Sequence, residues 1–434
     1  MPGLPIVIWR PGASWYPVRM TQGQAMVLGA GVVGITTAWA LAESGWRVSL
    51  LDARGVGQGT SLRNGGQLSY RYVAPLADAG VPVKALRWLL DPDGPLRWRP
   101  QADPVQWSWL GRFLARCNGA DNRATASRLA RLGQFSRQCL HELMDRHAVS
   151  HFAWEQAGKL VLYRSSTALR RAAASKDTSQ QDWTREQCMA QEPALAQLGP
   201  KIAGGIYSED EAVADCHAFC VSLMERLQGH PNFQGLVLDT VQSLRSEGPR
   251  VSVQGRAQTY GADAVVLAAG IASRALALPL GVKLPLYPLK GYSLDAPIDA
   301  EHSAPRASIT DFERKVLYAR IGSRLRVAAM VDLVGQSEAI DQGRLQSLLR
   351  VAKTDMPRAG DYTRAQPWAG LRPATPSGAP IIGPSGVPGL WLNLGQGALG
   401  FTFATGSAQL LAAQMNGQDT PPMLQGLSFG LEAV

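Results

Sequence analysis

The stretch from Met26 to Asp52, MVLGAGVVGITTAWALAESGWRVSLLD, constrains the fold more than any other part of the chain. Met26 to Leu28 is a short apolar run. Gly29, Gly31 and Gly34 follow it in the spacing G-x-G-x-x-G. Ile35 to Glu43 carries Ala, Leu and Trp at helical spacing, and Gly45 stands where a helix would stop. Val48 to Leu51 is a second apolar run closed by Asp52. The order strand, tight turn, helix, strand predicts a βαβ unit. Gly29 permits the turn, Gly31 lets backbone approach a pyrophosphate, and Gly34 lets helix and strand pack closely. The helix N-terminus, with Val32 and Val33 in its first turn, offers unpaired N–H groups to phosphate. Asp52, followed by Ala53, falls near the roughly 20-residue spacing of an acid that accepts ribose hydroxyls. The alternatives are an ordinary βαβ unit with a glycine-rich turn and, because of Arg54, recognition of a 2′-phosphate.

A chain of 434 residues, 46% of them apolar, can build two or three domains around a large core. Cysteines 117, 139, 188, 216 and 220 are odd in number and contain no Cys-x-x-Cys pair. That argues against a disulfide framework or a zinc site and for a reducing, cytoplasmic setting. The net charge of +9 comes without a long basic run, so no nucleic-acid partner is expected. An anionic membrane surface is the sharper reading of that charge. Residues 1 to 19 show no secretory pattern and read as an upstream extension. No apolar stretch is long enough to span a membrane.

Residues 54 to 75, RGVGQGTSLRNGGQLSYRYVAP, read as a long irregular loop leading into a helix or turn. Between residues 84 and 116, Trp88, Trp98, Trp107 and Trp109 are interleaved with Lys84, Arg87, Arg97, Arg99, Arg112 and Arg116. Such a stretch suits either a membrane interface or a domain interface. A long helix is expected over 121–147, and strands over 159–164, 236–244, 251–254, 263–268, 290–294, 316–321 and 325–330. From Pro373 to Gln418 there is no charged residue. That segment reads as a loop, a short strand, a turn presenting Gly395, Gly397 and Gly400, and a buried helix over 401–415. If this second glycine turn and the opening βαβ unit face one ligand, their domain is discontinuous and another is inserted in it.

Taken together, GAGVVG (29–34), TSLRNGGQLS (60–69) with YVAP (72–75), PLKGYSL (288–294), GLRPATPSGAPIIG (370–383) and LWLNLGQGALGFT (390–402) are far more specific than the glycine fingerprint. With them the chain resembles the FAD-dependent amino acid dehydrogenases of the D-amino acid oxidase-like superfamily, in particular the small subunits of the bacterial D-amino acid dehydrogenases. The resemblance implies an α/β fold: a Rossmann-like FAD-binding domain of glutathione-reductase type with an inserted substrate domain on a mixed or antiparallel sheet. The expected division is 20–100, 200–275 and 370–434 for the FAD-binding domain, and 101–199 and 276–369 for the substrate domain.

For FAD, the resemblance assigns the pyrophosphate to Gly29, Gly31 and Gly34 and the ribose to Asp52. Ser61, Asn64, Gly65, Gly66 and Gln67 line pyrophosphate and flavin, Val241 meets the adenine, and Ala269 and Gly270 back the dinucleotide. Gly395, Gln396, Gly397, Leu399, Gly400, Phe401 and Thr402 lie beside the flavin ring. Arg372 is assigned to the substrate carboxylate, which a planar fork of donors matches bidentately. Tyr72, Tyr292 and Tyr318 are candidates for closing the pocket or orienting the substrate amine. The implied reaction passes the α-hydrogen of a D-amino acid to flavin N5 as hydride, and water releases a 2-oxo acid and ammonia. The electrons go to a quinone or another non-oxygen acceptor, with peripheral contact at the cytoplasmic face of the inner membrane. Three departures from the family pattern, NGGQ for NAGQ, SYRY, and Gln396 where histidine is common, bear on the substrate. The alternatives are oxidation of glycine, sarcosine or a cyclic imino acid such as D-hydroxyproline, modification of tRNA, and a non-catalytic FAD subunit. A basic trough would mark the tRNA enzyme, and a filled space beside the flavin the non-catalytic subunit.

Overall fold

The computed structural model describes residues 23–91 and 93–431, so the expected N-terminal extension lies outside the described residues. A six-stranded sheet runs in the order 381–384, 390–394, 264–267, 24–28, 47–52, 233–238. All its neighbours are parallel except the first pair. The opening βαβ unit is its centre, with the helix Val32–Glu43 between strands Gln24–Leu28 and Arg47–Asp52. The charge-free segment supplies the helix Gly400–Met415, most of whose residues are buried. A helix apolar all round belongs in a core, and this one shares a core with the first helix through Trp39, Leu41, Phe403 and Leu411. The long helix Gly119–His147 joins the same core through Leu129, Leu132 and Leu140.

The second sheet has nine strands, in the order 366–374, 287–297, 324–333, 316–321, 308–311, 159–163, 204–208, 181–184, with 96–98 paired to 324–333. Most of its pairs are antiparallel. The helix Gln342–Asp355 covers one face, burying Leu345, Leu348 and Val351 at helical spacing against Leu294, Val327 and Tyr318. The strands at 96–98, 204–208 and 366–374 all join this sheet, so sheet membership crosses the expected divisions at 100, 200 and 370.

Most expected elements are present within a few residues. The single strand expected over 236–244 is two strands, Phe233–Leu238 and Val241–Glu247, in different sheets. The break is Asp239, whose buried carboxylate accepts from the backbone N–H groups of Thr240, Arg256 and Ala257 and from the Tyr260 hydroxyl. The Trp/Arg-rich stretch divides its tryptophans. Trp109 is buried, stacks on Phe113 and donates to the Ala374 carbonyl at 2.9 Å, whereas Trp107 is 48% exposed.

Candidate active site

One cavity of about 1820 Å³ runs from the end of the first strand across one face of the large sheet. Every expected site residue borders it except Gly34, Thr402 and Tyr318. At its nucleotide end the three fingerprint glycines have different surroundings. Gly29 has φ +109°, and a Cβ there would lie 2.6 Å from the Ala268 carbonyl oxygen. At Gly34 a Cβ would overlap the Gly29 carbonyl. These two are glycines because the protein itself leaves no space. At Gly31 a Cβ would meet only the Ser61 hydroxyl, at 3.4 Å, so the space it would take belongs to the cavity. The helix above has no side-chain cap of its own, and the Val32 N–H is satisfied by Ser61 Oγ at 3.0 Å. The Asp52 carboxylate accepts from the backbone N–H groups of Ala30, Arg54 and Gly55. A carboxylate has about four acceptor positions, so one remains for a ribose hydroxyl. An open cradle at Gly31, a helix N-terminus and an acid beside it fit an FAD pyrophosphate and ribose. Val241, Ala269 and Gly270 border the cavity at this end.

The loop Thr60–Gln67 is stapled to the large sheet. Thr60 Oγ1 donates to the Leu371 carbonyl, Ser293 Oγ to the Arg63 carbonyl, and Arg326 to the Asn64 carbonyl. Gln67 takes Lys159 Nζ on its oxygen at 2.9 Å and gives its nitrogen to Ser308 at 3.0 Å. Lys159 is buried, also donates to Ser69 Oγ at 2.6 Å, and lies 4.7 Å from the centre of the Tyr72 ring. Burial pulls its pKa down to about 8, against the opposing pull of the Glu211 carboxylate. Lys159, which borders the cavity, was not legible as a site residue, because its burial is set by strands distant in sequence. Thr402 lies outside the cavity, accepts from the Ser69 N–H at 3.1 Å and holds the loop from behind. The second glycine turn is held the same way. Gln396 donates to Asn393 Oδ1 at 2.8 Å and forms an isolated bridge with Ala374.

Arg372 stands on strand Gln366–Ala374, opposite Leu289 and two residues from the bridge to Gln396. It borders the cavity, and burial pulls its pKa down to about 10, opposed by the Asp332 carboxylate. The guanidinium donates to the Met330 carbonyl at 2.8 Å and has no ion pair with a carboxylate among the described residues. Met330 has φ +72° and lies where the register between strands 287–297 and 324–333 shifts. This β-bulge turns its carbonyl toward Arg372. A half-desolvated guanidinium with one neutral partner is a receptor for an anion, and a carboxylate matches its fork.

The tyrosines are not gathered around Arg372. Tyr318 is fully buried in the core behind the sheet, where burial raises its pKa well above the usual range. Tyr292 borders the cavity but belongs to that same core, and its hydroxyl donates to Asp332 at 3.2 Å. Tyr72 packs with Val161, Tyr163 and Phe312, at strands far across the sheet from Arg372.

The family model for FAD-dependent oxidoreductases (DAO) matches residues 24–414. A D-amino acid dehydrogenase 2 of Pseudomonas aeruginosa is 50% identical over 393 residues, 90% of this chain and 94% of that protein. A D-amino acid dehydrogenase of Vibrio cholerae is 36% identical over 417 residues, 94% of this chain and 98% of that protein. Among solved structures, glycine oxidase from Geobacillus kaustophilus superposes with TM-score 0.71 at 19% identity, covering 95% of this chain and 99% of that one.

Proposed function

The chain belongs to the DAO family of FAD-dependent oxidoreductases, and we propose from this that it oxidises a D-amino acid to the 2-oxo acid and ammonia. The observation that carries the reading is Arg372, a guanidinium at the cavity wall that forms no ion pair with a carboxylate among the described residues. Bound FAD supplies the two-electron acceptor for the α-hydrogen. The chain contributes placement: Arg372 fixes the carboxylate, and the Thr60–Gln67 loop, stapled to the sheet that carries Arg372, fixes where cofactor and substrate meet. Loss of the α-hydrogen as hydride needs no strong protein base once the substrate nitrogen has given its extra proton to water, and no histidine borders the cavity among the described residues. Assay of the purified flavoprotein with D- and L-amino acids tests the reading. D-isomers with a dye acceptor should turn over, and activity confined to L-isomers would overturn it.

A quinone or other non-oxygen acceptor at the inner membrane completes this reading. The helix Val81–Leu90 has no buried residue, borders the cavity, and exposes Val83, Leu86 and Leu90 at 76%, 68% and 85% beside Lys84 and Arg87. No helix among the described residues is long and apolar enough to cross a membrane. An apolar face flanked by basic residues suits the surface of an anionic bilayer. The protein should sediment with vesicles containing phosphatidylglycerol at low salt and less at moderate salt, and Leu86→Glu with Leu90→Glu should abolish the binding. Equal sedimentation of the double variant would remove this helix from the contact.

A further inference from the structure

Two glycines face each other across neighbouring strands of the large sheet: Gly291 on 287–297 and Gly370 on 366–374. Directly opposed residues in an antiparallel pair project to the same face, and so do residues two apart on one strand. Gly291, Gly370, Trp368 and Arg372 therefore share a face, and all four border the cavity. Neither glycine is in the left-handed region, so backbone conformation does not require them. Their surroundings do. A Cβ on Gly291 would overlap the Arg372 guanidinium, and a Cβ on Gly370 would overlap the outer edge of the Trp368 indole. The guanidinium thus lies over Gly291 and the outer edge of the indole over Gly370.

We infer that Gly291 and Gly370 form a side-chain-free floor that seats the Arg372 guanidinium at one end and the Trp368 indole at the other, making both glycines positioning residues and Trp368 a determinant of side-chain selectivity. This rests on Arg372 as the carboxylate anchor. The Met330 carbonyl holds the guanidinium, and Gly291 is the surface it lies on. A substrate held by its carboxylate there meets the indole next, so a large apolar or aromatic side chain is favoured over a small or charged one. An indole offers a broad apolar face.

The test is a double-mutant cycle in the FAD-loaded protein. Gly291→Ala should lower kcat/KM by about 10- to 100-fold, chiefly through KM, because displacing an anchor by about 1 Å costs that much. FAD content and Tm should stay near native, since alanine is tolerated by this backbone and the colliding atoms end a flexible side chain. In an Arg372→Ala background the same substitution should cost less than about threefold, because nothing remains to collide. Benzoate, an unreactive carboxylate followed by flavin absorbance, should lose affinity in parallel. Trp368→Ala, which only removes atoms, should lower the kcat/KM ratio of D-phenylalanine to D-alanine by about tenfold. Equal costs of Gly291→Ala in both backgrounds would overturn the floor while leaving the anchor in place. An unchanged ratio in Trp368→Ala would overturn the indole's role. A silent Arg372→Ala would remove the anchor, and the floor with it.

Discussion

Replacing Arg372 with alanine is expected to lower kcat/KM for the amino acid about 30- to several-thousand-fold while FAD content stays normal. The size follows from truncating one partner of a buried, charged hydrogen-bonded pair, worth about 2–5 kcal/mol in transition-state stabilisation. No carboxylate of the protein pairs with Arg372 among the described residues, so no buried anion is orphaned by the change. What remains exposed is the Met330 carbonyl, a neutral acceptor at a cavity wall. Stability should therefore change little in comparison with activity. Arg372→Lys retains the charge and loses the fork, so its loss should fall between native and alanine. An amino acid amide, lacking the negative charge, should be a poor substrate for the native protein and lose little more in the variant. Steady-state kinetics on the three proteins decide this. If the alanine variant oxidises its amino acid as well as the native protein, Arg372 is not the anchor.

Gly31→Leu should yield a folded, colourless protein whose affinity for FAD has fallen about 100-fold or more. The expectation depends on the contrast among the three fingerprint glycines. At Gly29 and Gly34 a Cβ collides with backbone, so substitutions there damage the turn itself. At Gly31 the protein tolerates a Cβ, and the side chain would grow into the space that a pyrophosphate needs beside the helix N-terminus. The variant should keep native far-ultraviolet circular dichroism, lose the yellow chromophore on gel filtration, and show a Tm that no longer rises with added FAD. Full flavin occupancy in the variant would refute this reading of the turn. A native-like Gly34→Ala would contradict the packing explanation for Gly34.

Much of the site was legible because its signals are local. The turn after the first strand, the helix that follows and the acid at the end of the second strand depend on residues within one βαβ unit, and all lie as expected. The charge-free segment likewise announced its buried helix, since a charge cannot be hidden there without a partner. Gly31 could be named for the same reason, since it stands in a short motif whose neighbours are also its structural context, whereas Arg372 was named from the resemblance of its motif to a family.

What the sequence left open was decided by pairing between strands distant along the chain. Tyr292 and Arg372 both come from compact motifs, yet Arg372 faces the cavity and the Tyr292 hydroxyl turns to Asp332 in the core behind the sheet. Residues alternate faces along a strand, so a shift of one place exchanges them, and only the register between strands settles which is which. The bulge at Met330, the opposition of Gly291 to Gly370 and the burial of Lys159 against Gln67 follow from such registers. Local composition by itself determined that a dinucleotide cradle and a buried C-terminal helix would form, because those rest on contacts near in sequence. Tertiary structure alone decided which side chains reach the cavity, because the face a strand residue takes is fixed by partners that its own neighbours in sequence do not specify.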